Sequence, residues 1–191
     1  MKALIFDGSR EGETPLDPIR IAVEKEISDA GWEVETLPLR DMDVAPCTGC
    51  FKCWTKTPGI CVIDDAGREV TRKLVRSDLL VILTPVTFGG YSSEVKKALD
   101  RSLGWMLPYF TKTKGHIHHK ARYKRYPDLL AIGTVPQHDE EVETLFRDLV
   151  DRNATNAHSP NHGAGVIEER ADPESVRDSV HDMLRTMGVV D

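Results

Sequence analysis

Asp78-Leu79-Leu80-Val81-Ile82-Leu83 runs directly into Thr84-Pro85-Val86-Thr87-Phe88-Gly89-Gly90. An unbroken apolar run between an acid and a proline-glycine turn fits a strand covered on both faces, which belongs in the middle of a parallel sheet. Downstream, Ser92-Ser93 with Glu94 opens a helix that carries Val95, Leu99 and Leu103 at four-residue spacing. Upstream, Asp64-Asp65 reads as a cap and first-turn charge for a helix bearing Val70 and Leu74.

The same alternation extends to both ends. Lys2 to Phe6 reads as a short buried strand, and Asp7 to Thr14 as a polar turn. A helix with Ile19, Ala22, Val23, Ile27 and Ala30 on one face then stops at Gly31, and Trp32 to Leu37 alternates as a half-buried strand. Beyond residue 128, Leu129 to Gly133 is a strand, Val142, Leu145, Phe146, Leu149 and Val150 mark a helix, Gly165 to Ile167 an edge strand, and Val176, Val180, Met183, Leu184 and Met187 the closing helix. Five strands alternating with five helices specify a parallel sheet covered on both faces, as a single domain over 1–191. A cysteine-rich loop at 41–64 and a basic arm at 107–127 interrupt the pattern. The arm reads as irregular and carries Lys112, Lys114, Lys120, Arg122, Lys124 and Arg125 without an acid.

Composition excludes several classes of function. The 191 residues carry 25 Lys+Arg against 31 Asp+Glu, a net charge of −6, which disfavours nucleic-acid binding. No segment approaches the ~18 apolar residues of a membrane span. The expectation is a cytoplasmic protein whose four cysteines are not a disulfide framework.

In a doubly wound sheet, ligands bind outside the carboxyl ends of the strands where the winding reverses. Ser9-Arg10-Glu11-Gly12-Glu13-Thr14 places hydroxyls and a glycine before a helix, where backbone N–H groups and the helix end converge on an anion. Thr84 to Gly90 lets backbone approach a flat ring. The first of these resembles the phosphate loop of flavodoxins. Thr84-Pro85-Val86-Thr87-Phe88-Gly89, with Ser92 to Arg101 after it, resembles the corresponding loop and helix of flavodoxin-like NADPH-dependent FMN reductases. The resemblance implies a flavodoxin-like sheet in the order 2-1-3-4-5. It also implies an FMN site with Ser9, Arg10, Gly12 and Thr14 at the phosphate, Thr84, Pro85, Val86, Thr87, Phe88 and Gly89 at the ring, and Gly133 among the cofactor-binding residues. The sequence departs from the family at Glu11 and Glu13, and Gly133 to Gln137 lacks a glycine-rich third loop.

Cys47, Cys50, Cys53 and Cys61 form C-x2-C-x2-C-x7-C, four soft ligands from one excursion. Such spacing can wrap a metal centre, iron-sulfur and zinc both accepting four thiolates, and free or redox-active thiols are the remaining reading. Cys47-Thr48-Gly49-Cys50-Phe51-Lys52-Cys53-Trp54 resembles the compact motif of the iron-sulfur flavoproteins. That resemblance implies a four-iron, four-sulfur cluster near FMN and assembly of subunits. The excursion is then expected beside the flavin turns.

His116, His118 and His119 read as part of a solvated or subunit-contacting arm that attracts an anion such as NADPH, rather than as a metal site. Trp105 to Phe110 reads as core or subunit interface. Lys96 and Arg101 read as solvated helix residues, and His138, His158, His162 and His181 lie beside no nucleophile. The expectation is an FMN-dependent oxidoreductase with a cluster, using NAD(P)H as a possible donor and a small molecule or redox protein as acceptor, in a dimer or tetramer. The alternatives are a flavin or quinone reductase without a cluster, and a non-enzymatic module stapled by zinc.

Overall fold

The computed structural model describes residues 1–10, 16–113 and 115–191. Seven strands and six helices follow in the order β1 (Lys2–Asp7), α1 (Asp17–Asp29), β2 (Glu33–Pro38), α2 (Lys52–Thr55), α3 (Ala66–Leu74), β3 (Leu79–Pro85), α4 (Ser93–Arg101), β4 (Met106–Thr113), β5 (His116–Ala121), β6 (Asp128–Val135), α5 (Glu140–Asn156), β7 (His162–Glu168) and α6 (Pro173–Thr186). Five strands pair in parallel in the order β2-β1-β3-β6-β7, with β3 at the centre. This is the 2-1-3-4-5 order implied by the resemblance.

Alternation along each strand sorts the core into two layers. Ile5, Val81, Leu83, Leu130 and Ile132 face α1 and α6, where Val23, Ile27, Val180 and Leu184 are buried. Leu4, Phe6, Leu80, Ile82 and Ala131 face α3, α4 and α5, meeting Val70, Val95, Ala98, Phe146 and Val150. Both faces of β3 are thereby dry, which is why its run is uninterrupted.

The helix starts follow from side-chain oxygens. Asp65 Oδ1 accepts the Gly67 N–H at 2.8 Å at the head of α3, and Ser92 Oγ accepts from Val95 at 3.4 Å at the head of α4. Where β1 leaves the sheet, the Gly8 N–H donates to Leu83 O at 2.8 Å, tying the loops after β1 and β3 together at the point where the winding reverses. A Cβ on Gly8 would stand 2.4 Å from Val95 Cγ2 and 2.8 Å from Leu83 O. Gly8→Ala is therefore expected to lower stability by about 1–3 kcal/mol. A denaturant midpoint equal to that of the wild type would contradict this packing.

The arm differs from its sequence reading. Residues 107–127 are not irregular: β4 and β5 form an antiparallel hairpin, with Gly115 at φ +85° beside the turn. Pro108 and the imidazoles of His116, His118 and His119 hide the strand alternation. The hairpin is held from outside, by Trp54 Nε1 donating to Met106 O at 3.0 Å and by the His118–Asn156 contact to α5. Among the described residues, no helix is long and apolar enough to cross a membrane.

Candidate functional site

The rim at the carboxyl ends of β1, β3 and β6 is the first place to look. Gly12 and Thr14, with Glu11 and Glu13, lie outside the described residues. Ser9 is described and buried, and both of its donors are engaged by one acid. Its N–H and Oγ donate to Asp7 Oδ1 at 2.9 and 2.5 Å. Asp7 is buried in turn, with Oδ2 3.8 Å from Arg20 Nε. The sequence reading weighed Glu11 and Glu13 against a phosphate and missed Asp7, which reads there as the start of a turn.

Thr84 is fully buried; its hydroxyl accepts the Ser92 N–H at 2.8 Å and lies 3.0 Å from Pro85 O, so it shapes the turn from beneath. Gly133 is needed for close packing, since a Cβ there would be 2.5 Å from Val86 Cγ2. Val86 is tied to β6 by its N–H to Thr134 O at 2.9 Å. Beyond it, Thr87 and Gly90 exchange backbone hydrogen bonds of 2.9 and 3.0 Å around Phe88 and Gly89. Those central residues have φ of +51° and +77°, as a tight hairpin turn of the primed kind requires. Glycine accepts that backbone; phenylalanine does so at a cost of roughly 1–3 kcal/mol. The Phe88 ring is also fully exposed. A strained backbone that holds an aromatic ring out over a rim fits a surface built to meet another flat ring.

The cysteine excursion is built differently. Cys47, Cys50, Cys53 and Cys61 all line one small hollow with Asp100, Arg101 and Leu103. Gly49 and Phe51 adopt positive φ and turn the segment. Trp54 stacks on Phe51 at 5.3 Å and meets His119 at 4.8 Å in a tilted contact, which docks the segment on the hairpin. Arg68 Nε donates to Cys61 O at 2.8 Å. Among the described residues, no three His, Cys, Asp or Glu side chains converge as a preformed metal site. The thiols surround a common hollow without closing on a single point.

Their protonation differs with environment. Burial pushes the Cys53 thiol up, helped by neighbouring Cys61, Cys47 and Cys50. The Lys52 N–H and the Thr48 hydroxyl hold exposed Cys50 down. A centre that binds thiolates would stabilise all four in the charged form.

Arg101 overturns its reading as a solvated helix residue. It is 2% exposed. Its Nη1 donates to Asp65 Oδ2 at 2.6 Å and to Ala45 O at 2.7 Å, and its Nη2 donates to Asp65 Oδ1 at 2.7 Å and to Ile63 O at 3.3 Å. Arg101 holds the Asp65 carboxyl down to about 2. Asp65 therefore does more than cap α3. It joins α3, α4 and the cysteine excursion.

The Thr84 to Gly90 turn and the cysteine excursion meet opposite ends of α4. Helix α4 starts at the rim, where Ser92 Oγ lies 2.9 Å from the position of a Cβ on Gly8, and ends at Arg101 by the cysteines. Nine residues of helix separate the two places, about 13 Å. A cavity of about 480 Å³ runs along α4 between them, from Tyr91 behind the rim turn to Cys47. Its size is that of a small-molecule site.

Fold and rim together define a doubly wound α/β protein with the loops after β1 and β3 tied together at the switch point. The chain belongs to the NADPH-dependent FMN reductase family, which matches residues 1–121. That family is one of flavodoxin-like, FMN-binding oxidoreductases. It is 38% identical over 104 residues to an iron-sulfur flavoprotein of Methanocaldococcus jannaschii, covering 53% of this chain and 52% of that protein. It is 33% identical over 104 residues to an iron-sulfur flavoprotein of Methanosarcina thermophila, covering 54% and 53%. The chain thus spans about half the length of these relatives. Among solved structures, NAD(P)H:quinone oxidoreductase from Methanothermobacter marburgensis superposes with a TM-score of 0.68 at 12% identity, covering 97% of this chain and 95% of that one. An FMN-dependent NADH-azoreductase from Bacillus anthracis, in complex with FMN, gives 0.61 at 14% identity, covering 98% and 97%. At these identities the likeness is one of fold.

The residues present fit both groups. At the rim, the exposed Phe88 ring and the Thr87 to Gly90 turn offer a flat apolar surface with backbone polar groups. At the hollow, four soft donors share a lining with Arg101, a buried cation whose Nε has no hydrogen-bond partner, a donor set that suits an anionic sulfur centre.

Proposed function

We propose that this protein is an iron-sulfur flavoprotein: an NAD(P)H-linked oxidoreductase that binds FMN at the rim and a four-iron, four-sulfur cluster through Cys47, Cys50, Cys53 and Cys61. The gathering of all four thiols around one hollow carries this reading. FMN supplies two-electron chemistry and a cluster single-electron chemistry, so their combination suits a protein that converts between the two.

The chain's own residues supply position and environment. Phe88 presents a ring face to the flavin, the Thr87 to Gly90 backbone holds that ring at the rim, and Arg10 with the Ser9 turn borders the phosphate end. Pro85 and Val86 cover the turn from the sheet side. Asp65 and Arg101 fix the cysteine excursion against α4. None of these side chains is required to move a proton in catalysis. The acceptor is a small molecule or a redox protein. Tyr109, Phe110 and Ile117 stand exposed on the hairpin and support association with a second copy.

The visible spectrum and metal content of anaerobically prepared protein test this reading. One FMN with about four irons per chain, and broad absorption near 400 nm, is the expected outcome. Zinc at about one per chain without flavin would replace it with the zinc-stapled module. Flavin without iron would leave a reductase lacking a cluster.

Asp7 provides a finer test of the phosphate position. A carboxylate within ~10 Å of a phosphate opposes it by about 1–2 kcal/mol at an effective dielectric near 20. Asp7→Asn keeps the acceptor for Ser9 and removes the charge. FMN is then expected to bind about tenfold more tightly while riboflavin, lacking the phosphate, binds as before. Equal gains for both ligands would move the phosphate away from Ser9.

A further inference from the structure

The forked pair between Asp65 and Arg101 leaves one polar atom over. Both Nη atoms of Arg101 are engaged, by the Asp65 carboxylate and by the carbonyls of Ala45 and Ile63. Nε is buried and without a hydrogen-bond partner. Buried guanidinium N–H groups are rarely left so, because the donor loses water and gains nothing in exchange. This one belongs to a side chain that lines the same hollow as the four cysteines. The Cys61 thiol lies near enough to strengthen the hold of Arg101 on its proton, after the larger effect of Asp65.

The acid is itself occupied on its far side. Asp65 Oδ1 accepts the Gly67 N–H at 2.8 Å and Oδ2 the Ala45 N–H at 3.0 Å. The carboxylate is thus held from the start of α3 and from Ala45, and Arg101 is the member of the pair that lines the cysteine hollow.

We propose that Arg101 is a positioning and tuning residue for the cysteine centre: its Nε donates to a sulfur of that centre and favours the more negative oxidation state. This rests on the iron-sulfur reading above. A donor and a fixed positive charge beside sulfur raise a cluster's reduction potential, because the added electron is stabilised where water is excluded. A lysine would bring the charge as a point on a flexible stem, without the flat fork that Asp65 holds in register. Arg101 therefore serves twice: two nitrogens fix the excursion to α3, and the third faces the sulfur.

The test is Arg101→Lys, reconstituted anaerobically with ferrous iron and sulfide beside the wild type. Iron per chain, the midpoint potential followed by electron paramagnetic resonance, and the rate of iron loss to a chelator are measured. The variant is expected to take up iron, to show a more negative midpoint, and to lose iron about tenfold faster. The Asp65→Asn/Arg101→Met double variant, which removes both charges, is the second arm should the lysine variant fail to fold; its midpoint should fall further. Wild-type midpoint and iron-loss rate in an iron-loaded Arg101→Lys or double variant would overturn the inference. A wild type that takes up no iron fails before any variant is compared, and overturns the iron-sulfur reading instead.

Discussion

Cys53→Ala protein, purified and reconstituted without oxygen, is expected to retain FMN and to fall from about four irons per chain to less than one. Cys53 is the most telling of the four. It is half-buried, its neighbours Cys47, Cys50 and Cys61 all influence its thiol, and its carbonyl accepts the Gly59 N–H at 2.8 Å. Alanine keeps that backbone hydrogen bond and removes only the sulfur. A cluster relies on each thiolate for its charge and its geometry, so three ligands hold it poorly. Flavin retention is expected because the Thr84 to Gly90 turn precedes the start of α4, while Cys53 lines the hollow at its end. A variant with undiminished iron would take Cys53 out of the ligand set, and a variant that loses iron and flavin together would mean that the two sites are one.

Asp65→Ala should be the most damaging single change to stability, by about 3–5 kcal/mol. It leaves the guanidinium of Arg101 buried with its counter-charge gone, and also removes the side-chain cap of α3. Replacing both partners by apolar groups is far milder, since no uncompensated charge is left behind. Asp65→Ala/Arg101→Met is therefore expected to recover most of the loss in a denaturant titration. A single variant as stable as the wild type would mean that the pair contributes nothing.

The same pair sets an acid limit. The folded-state pKa of Asp65, about 2, lies below the usual carboxylate value of 3.8, so its contribution is fully present above about pH 4 and is lost as pH falls toward 2. The lowering corresponds to about 2 kcal/mol. Asp65→Asn should flatten that part of the stability curve, and an unchanged acid midpoint would argue against it.

Several elements were legible from residues alone. Leu79 to Leu83 carried the central strand because burial on both faces leaves no place for a polar residue. Ser92 and Asp65 marked helix starts because capping needs only an oxygen and the next two or three N–H groups. The hairpin of β4 and β5 was not legible. Exposed Tyr109, Phe110 and Ile117 and the interleaved histidines obscure the period-two pattern, and the hairpin depends on Trp54 and α5 to hold it.

The four cysteines announced by spacing that they gather, but not that their hollow lies at the end of α4. The chain leaves β2 and packs against the far end of α4, and no local pattern specifies where a loop of that length will dock. Asp7 was equally hidden, since an acid after a strand reads as a turn until its carboxylate is seen to take both donors of Ser9.

Periodicity, caps and cysteine spacing by themselves determined the doubly wound sheet, its switch point and the gathering of four cysteines in one excursion. Only the tertiary structure decided that Arg101 is buried, that Asp65 answers it across 36 positions of sequence, and that its Nε is left without a partner in a side chain lining the cysteine hollow. The physical reason is range. Helix, strand and cap are set by groups a few residues apart, whereas a charge at a helix end reads as solvated until distant segments close over it and exclude water.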